Sequence, residues 1–167
     1  MGKILKTGLL IIAIAAIAGI NSCNTNGCLD NQSSIPLAGF YSMSTKKAIS
    51  IDSLSVFGVG APGDSSILSS STASQVYLPL RNSTKVTQYV FHYNQKALSS
   101  TALNDTITIN YDAFPFFVSS ECGAMYNFNV SSFSFTRHVM DSVAIPTMKF
   151  TNKNVETIKI FFRTSES

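Results

Sequence analysis

The chain contains no tryptophan, three cysteines and two histidines, and only 13% of its residues are charged. Each scarcity narrows what the protein can do. Sugar-binding modules commonly stack a ring on a broad exposed aromatic surface, so the missing tryptophan weakens a glycan-binding reading without removing it. His92 and His138 are far apart in sequence, and nothing in their spacing marks a His/His/carboxylate metal centre with Glu121 or Asp112. We expect neither a metal nor another cofactor. Serine is abundant, yet no Gly-x-Ser-x-Gly elbow occurs, and the scattered acids offer no distinguished carboxylate pair for glycosidase chemistry. Gly58-Val59-Gly60, followed by Gly63, leads into no helical pattern and is not a dinucleotide loop. A Lys/Arg stripe of the kind that grips nucleic acid is absent too, and the adjacent Lys46 and Lys47 read as a solvated turn. No residue is marked as catalytic, and an enzyme is not the expectation.

What is present begins with an address. Lys3 and Lys6 precede an unbroken apolar or small-residue run from Gly8 to Ile20, which has the outline of a targeting signal. The run is short of the roughly 20 residues that a stable membrane-spanning helix needs. It ends in Ile20-Asn21-Ser22-Cys23, which resembles a bacterial lipobox and implies that Cys23 is acylated and becomes the first residue of the mature chain. Asn21 is an atypical occupant of that motif, and an ordinary secretory signal is the alternative. Acylation would make the lipid bilayer a partner through Cys23, since each buried CH₂ contributes about 0.8 kcal/mol to membrane binding. The expected organisation is therefore a signal peptide over 1–22, a lipidated N-terminus and short tether over 23–34, and one domain over 35–167. Lys3 and Lys6 leave with the leader, so most of the formal charge of +3 goes with it.

With Cys23 assigned to lipid, Cys28 and Cys122 remain as an even pair in an oxidising compartment, and a disulfide between them is the expected state. Such a bond would stabilise the fold by roughly 4–5 kcal/mol in the chain-entropy account. Two buried free thiols are the alternative.

The remainder alternates with period two and shows no helical face. Ile107, Ile109 and Tyr111 oppose Thr106, Thr108 and Asn110; Tyr89, Phe91 and Tyr93 repeat the pattern, as do Ile158, Ile160 and Phe162. Tyr126, Phe128 and Val130 keep one phase and Phe133 and Phe135 the other, which predicts a bulge or turn at Ser131-Ser132. The same change of phase separates Ile49 and Ile51 from Leu54 and Val56. Turn residues at Asn82-Ser83, Asn104-Asp105, Asp112, Gly123, Asp141 and Asn152 to Asn154 divide the chain into about eight or nine short strands. The expected fold is all-β, a single antiparallel β-sandwich, Ig-like or similar. Gly58 to Ser74, small, polar and nearly uncharged, reads as a long mobile loop whose Ile67 and Leu68 keep a docking role open. Phe114-Pro115-Phe116-Phe117 reads as a core strand, with an exposed binding ridge over the same four residues as the alternative, in which Phe114 and Phe116 are the docking candidates.

Asp52-Ser53-Leu54, Asp105-Thr106-Ile107 and Asp141-Ser142-Val143 place an acid, a hydroxyl and an aliphatic residue at expected strand starts, which local turn chemistry explains. They also resemble the O-glycan acceptor sequence of exported Bacteroidota proteins, which makes Ser53, Thr106 and Ser142 candidate glycosylation sites. The cysteine-containing start, Leu78-Pro79-Leu80 read as a strand, the Asp105 to Ile109 strand, Phe117-Val118-Ser119-Ser120-Glu121-Cys122-Gly123 and the closing Ile158-Lys159-Ile160-Phe161-Phe162 together resemble a group of small Bacteroidota envelope lipoproteins to which no activity is attached. The resemblance implies an outer-membrane, lipid-anchored address. Surface-exposed lipoproteins of that phylum often carry acids just after the lipidated cysteine, and Asn24 to Gly27 carry none, so the periplasmic side is favoured over the cell surface. The functional expectation is a structural or assembly subunit that docks on an outer-membrane protein or complex; a binding module for glycan or another small envelope ligand is the alternative.

Overall fold

The computed structural model describes residues 34–62, 66–119 and 123–164. Within them the chain forms β1 (Leu37–Ser42), β2 (Ile51–Gly58), β3 (Ser66–Ala73), β4 (Gln75–Tyr77), β5 (Val86–Tyr93), β6 (Asp105–Ser119), β7 (Gly123–Phe135), β8 (Met140–Ala144), β9 (Lys149–Phe150) and β10 (Glu156–Phe162). A six-stranded sheet in the order β3-β2-β5-β6-β7-β9 packs on a four-stranded sheet in the order β4-β1-β10-β8, making an all-β sandwich. The alternation seen in the sequence is the cause. Tyr89, Phe91, Tyr93, Ile107, Ile109 and Tyr111 of the larger sheet, and Phe40, Ile158, Ile160 and Phe162 of the smaller one, are all buried in one core. An edge-on aromatic contact crosses between the sheets, Tyr93 of β5 with Phe162 of β10 at 6.4 Å between ring centres, while Phe40 with Phe162, 5.4 Å, and Tyr111 with Phe128, 5.3 Å, pack edge-on within the smaller and the larger sheet.

Both expected changes of phase are bulges. Asn110 pairs with Ser132 and Tyr111 with Val130, so Ser131 is the extra residue, and its hydroxyl donates to the Asn110 carbonyl. In β2 the register shifts between Ile51 and Leu54, and Ser53 takes a left-handed φ of 51° there.

Four sequence expectations are corrected. Gly58 to Ser74 is not a continuous loop: Ser66–Ala73 is a strand on β2. Its serines and its register shifts hide the period-two pattern, because an edge strand that faces water on most sides needs no apolar alternation. Leu78-Pro79-Leu80 is not a strand; the strand ends at Tyr77, and the next residues cross between the sheets. Asp112 and Asp141 are not turns but lie inside β6 and β8. Finally, although the other pairings are antiparallel, β1 runs parallel to β10, with Phe40 opposite Ile160. Alternation along a strand reports its faces and not its direction, so the sequence pattern was silent on that pair.

The crossing segment has no sheet ladder to satisfy its backbone, so buried side chains and neighbouring backbone serve instead. Leu78 donates its N–H to the Pro36 carbonyl at 2.9 Å. The Tyr89 hydroxyl donates to the Pro79 carbonyl at 2.5 Å. The Tyr111 hydroxyl accepts from the Arg81 N–H at 3.0 Å, donates to the Arg81 carbonyl at 2.8 Å and lies 2.7 Å from the Thr87 hydroxyl.

Candidate functional site on the projecting arm

Two strands outrun their neighbours. β5 accompanies β6 as far as Asn110, opposite Val86, and the Tyr111 N–H makes one further bond to the Lys85 carbonyl. On the other side β9 meets β7 only at Phe128 and Asn129. Beyond those points β6 and β7 continue as a two-stranded arm, pairing Pro115 with Tyr126 and Phe117 with Ala124. Pro115 makes this possible. Strand alternation turns its ring nitrogen toward the side on which Tyr111 met β5, so the missing N–H falls on the open edge and blunts it against further pairing.

The arm keeps the face pattern of the core. Tyr111, Ala113, Pro115 and Phe117 share one face of β6, and their partners Val130, Phe128, Tyr126 and Ala124 share it on β7. Near the base this face is buried, as Tyr111 and Phe128 show; toward the tip Phe117 is 72% exposed and Tyr126 37% exposed. The core face therefore overhangs the sandwich and is uncovered at its end. The opposite face carries Phe114 and Phe116, both half-buried, with the Lys149 ammonium 5.4 Å from the Phe114 ring centre. At the base Lys85 and Asp112 form an exposed ion pair at 2.8 Å, which contributes little to stability in water.

The start of the described chain is fastened to the same arm. Buried Ser34 donates its hydroxyl to the Asn127 side-chain oxygen across 3.5 Å. Two cavities flank the junction. One, of about 390 Å³, lies between Leu80 to Ser83 and Ala124, Met125, Tyr126 and Phe128. The other, of about 210 Å³, is lined mainly by apolar groups of Val59, Ala61, Pro62, Ile67, Pro79 and Tyr89. Arg81 borders both, and its guanidinium donates to the carbonyls of Gly60 at 3.3 Å and Val59 at 3.5 Å. Tether, arm and both cavities thus lie at one end of the sandwich.

The far end is held by a buried carboxylate. Asp105, with no exposed surface, accepts from the Tyr93 hydroxyl at 3.0 Å, the Thr136 hydroxyl at 2.9 Å, and the backbone N–H groups of His138 at 2.8 Å, Val139 at 2.8 Å and Met140 at 2.7 Å. It ties the start of β6 to the turn before β8. Burial pushes the Tyr93 hydroxyl well above the usual phenol range, and the neighbouring Asp105 carboxylate pushes it further. The two histidines also meet here: His92 Nδ1 lies 2.7 Å from the Asn104 side-chain oxygen, and His138 Nδ1 lies 2.8 Å from the Asn104 carbonyl. Among the described residues, no group of three or more His, Cys, Asp or Glu side chains is placed to share a metal ion.

The outer face of the smaller sheet holds a third polar cluster. The Tyr41 hydroxyl lies 2.8 and 2.7 Å from the two Glu156 carboxylate oxygens, and the Lys159 ammonium lies 5.2 Å from the Tyr41 ring centre. The hydrogen bond to Glu156, with some burial, raises the Tyr41 hydroxyl above its ordinary value. Gly39 makes room for this: a Cβ there would collide with the Glu156 carboxylate.

Of the residues singled out by sequence, Cys23, Cys28 and Cys122 lie outside the described residues, as does Glu121. Ser53, Thr106 and Ser142 are half-buried within β2, β6 and β8. Ile67 and Leu68 pack partly against the core, with Ile67 on the wall of the smaller cavity. Phe114 and Phe116 are on the arm, but the exposed aromatic is Phe117, which belonged to the alternative ridge and was not among its docking candidates. Its parity with Tyr111 was readable. That the core face would be bare at that point was not, since it depends on where the opposing sheet stops. Asp105 and Arg81 were also missed as organising residues; a lone acid before a β-branched run looks like ordinary turn chemistry.

Searches of the curated proteins and of the solved structures returned no match. Residues 53–162, which run from the bulge of β2 to the last residue of β10 and make up more than half of the chain, match a family of unknown function, DUF6452, and the protein belongs to that family.

Proposed function

We propose that the protein is an outer-membrane lipoprotein, anchored through acylated Cys23, that acts as a non-enzymatic structural or assembly subunit docking on an outer-membrane protein or complex. The observation that carries this reading is the convergence of tether, arm and cavities at one end of the sandwich. A chain fastened to Asn127 at Ser34 holds that end, and not the far one, toward whatever holds residue 23. Ten residues separate Cys23 from Ser34 in the sequence, and an extended residue spans at most about 3.6 Å, so the domain stays within a few tens of Å of its anchor. A domain so confined meets integral membrane proteins first. The apolar cavity around Ile67 and Pro79 is of a size to receive one partner side chain, and its rim residue Val59 is 44% exposed. Of the four edge strands, β4 and β9 are very short and β3 is broken by register shifts, which leaves the five residues of β8, at the other side of the smaller sheet, as the regular edge for strand addition.

The test is affinity capture from detergent-solubilised outer membranes with the wild-type chain and with Val59→Glu, together with depletion. An outer-membrane protein enriched by the wild type, lost with Val59→Glu and altered in abundance on depletion is the expected result. Normal outer-membrane proteins on depletion, with tight binding of a small envelope ligand by the purified domain, would replace this reading with the binding-module alternative. The address is tested separately: Cys23→Ala should release the protein from membranes or leave its precursor uncleaved, and unchanged processing and fractionation would refute it.

A further inference from the structure

We infer that the overhanging face of the arm, Pro115, Phe117, Ala124 and Tyr126, is a second membrane contact that seats Phe117 in the interfacial layer of the bilayer carrying the lipid anchor. The inference rests on the lipid-anchored reading above and adds to it what the arm touches. Three observations lead there. The face is the core face of the larger sheet continued beyond the smaller sheet: Leu80 to Ser83 lie across a cavity from Ala124 and Tyr126, and Phe117 at the tip is 72% exposed. From Ala113 to Ser120 the sequence carries no charged side chain, so the β6 half of the arm can leave bulk water without stripping an ion of its hydration. The chain leading to Cys23 departs from the arm itself, at Ser34 against Asn127 on the Phe114 side of the ribbon, so a lipid at residue 23 brings this end of the molecule to the bilayer; of the two sides, the one with exposed apolar surface to offer is that of Phe117, since Met125 and Asn127 on the other are buried.

The alternative occupant, a partner strand added to the open edge of β6, is disfavoured by Pro115, which removes a donor from the edge where pairing would occur. A bilayer needs no backbone donors. It rewards exposed aromatic rings at the headgroup level, and a phenylalanine together with a tyrosine whose hydroxyl stays wet fits that layer. One acyl-bearing residue plus one aromatic contact would also fix the orientation of the sandwich on the membrane, which a flexible tether alone does not.

The absence of tryptophan supplies the experiment. Full-length acylated protein carrying Phe117→Trp as its single tryptophan is reconstituted into phosphatidylethanolamine/phosphatidylglycerol vesicles with and without brominated acyl chains. A matched protein carries Ala102→Trp, an exposed position in the 3-10 turn Thr101–Leu103 beside the opposite end of β6. The expected result is a blue shift and bromolipid quenching for Phe117→Trp, with neither for Ala102→Trp. Mass spectrometry of residue 23 and co-sedimentation are read on the same samples. Acylated protein that co-sediments but leaves Phe117→Trp unshifted and unquenched overturns the arm contact alone. A chain without acyl groups that does not sediment overturns the lipid-anchored reading and this inference with it. Equal quenching at both positions overturns the oriented contact proposed here. Circular dichroism matching the wild type confirms that the substituted arm is folded.

Discussion

Replacing Asp105 by asparagine tests how the far end of the sandwich is held. The substitution keeps the shape of the side chain and changes only charge and donor pattern. Oδ1 accepts from the Thr136 hydroxyl and the His138 N–H, while Oδ2 accepts from the Tyr93 hydroxyl and the N–H groups of Val139 and Met140. An amide nitrogen in the Oδ2 position would face three donors, two of them backbone N–H groups that cannot turn away. In the Oδ1 position it faces one such N–H and one hydroxyl that can rotate to accept, so asparagine takes that orientation. The cost is then one bond to a charged acceptor, worth about 1.5–3 kcal/mol, together with weaker charge assistance in the bonds that remain. A loss of about 3 kcal/mol follows. Asp105→Ala, which leaves several buried donors without a partner, should lose more and bring the domain near the limit of its 5–15 kcal/mol class. Equilibrium urea unfolding of residues 24–167 reads this directly, and with a typical slope the asparagine variant should move the midpoint by roughly 1–2 M. A loss below about 1 kcal/mol for Asp105→Asn at an unchanged slope would show that the turn before β8 holds without the carboxylate, and the reasoning would be refuted.

The remaining expectations concern alkaline pH and the outer sheet face. Burial raises the hydroxyls of Tyr89 and Tyr93 above the unfolded value near 10, so the native state holds protons that the unfolded chain releases; their stabilising contribution is intact below pH 10 and declines above it. Stability should therefore fall by about 1.4 kcal/mol per pH unit for each of the two tyrosines above pH 10, and Tyr93→Phe should remove its share of that slope in urea titrations at stepped pH. Gly39→Ala should displace the Glu156 carboxylate from Tyr41 and cost about 1 kcal/mol, the worth of the hydrogen bond lost, because the displaced atoms are the free end of a flexible side chain; Glu156→Ala should cost about the same and the double variant no more than either, whereas additive losses would show that the added methyl clashes with something other than Glu156.

What the sequence disclosed and what it withheld follow one physical line. Period-two alternation identified the core strands β5, β6 and β10, because each of their residues must choose between a packed and a solvated face. The same rule located the bulges at Ser131 and Ser53, since an extra residue reverses every face beyond it. It did not reveal β3, where both faces are largely wet and serine suffices, nor the parallel pairing of β1 with β10, which is a fact about direction. The candidate site suffered most from this limit. Within the aromatic run from Phe114 to Phe117, Phe114 and Phe116 were the docking candidates, yet exposure fell to Phe117, because the length of the opposite sheet decides where a core face ceases to be a core.

That last point bears on why the arm exists. A strand of fifteen residues, as β6 is, outlasts any partner in the smaller sheet, whose longest strand has seven. Continued pairing with β7 satisfies one edge of its backbone, and water or a membrane interface must satisfy the other. A proline on the open edge is the cheapest way to let the ribbon stand alone without recruiting a stray strand, since it removes the donor that a stray strand would seek. The aromatic face that remains is then selective by default: it can accept a surface that offers apolar contact without asking for backbone hydrogen bonds. An arm of this construction, joined at Asn127 to the segment that leads toward Cys23, matches a bilayer interface more closely than the edge of another sheet.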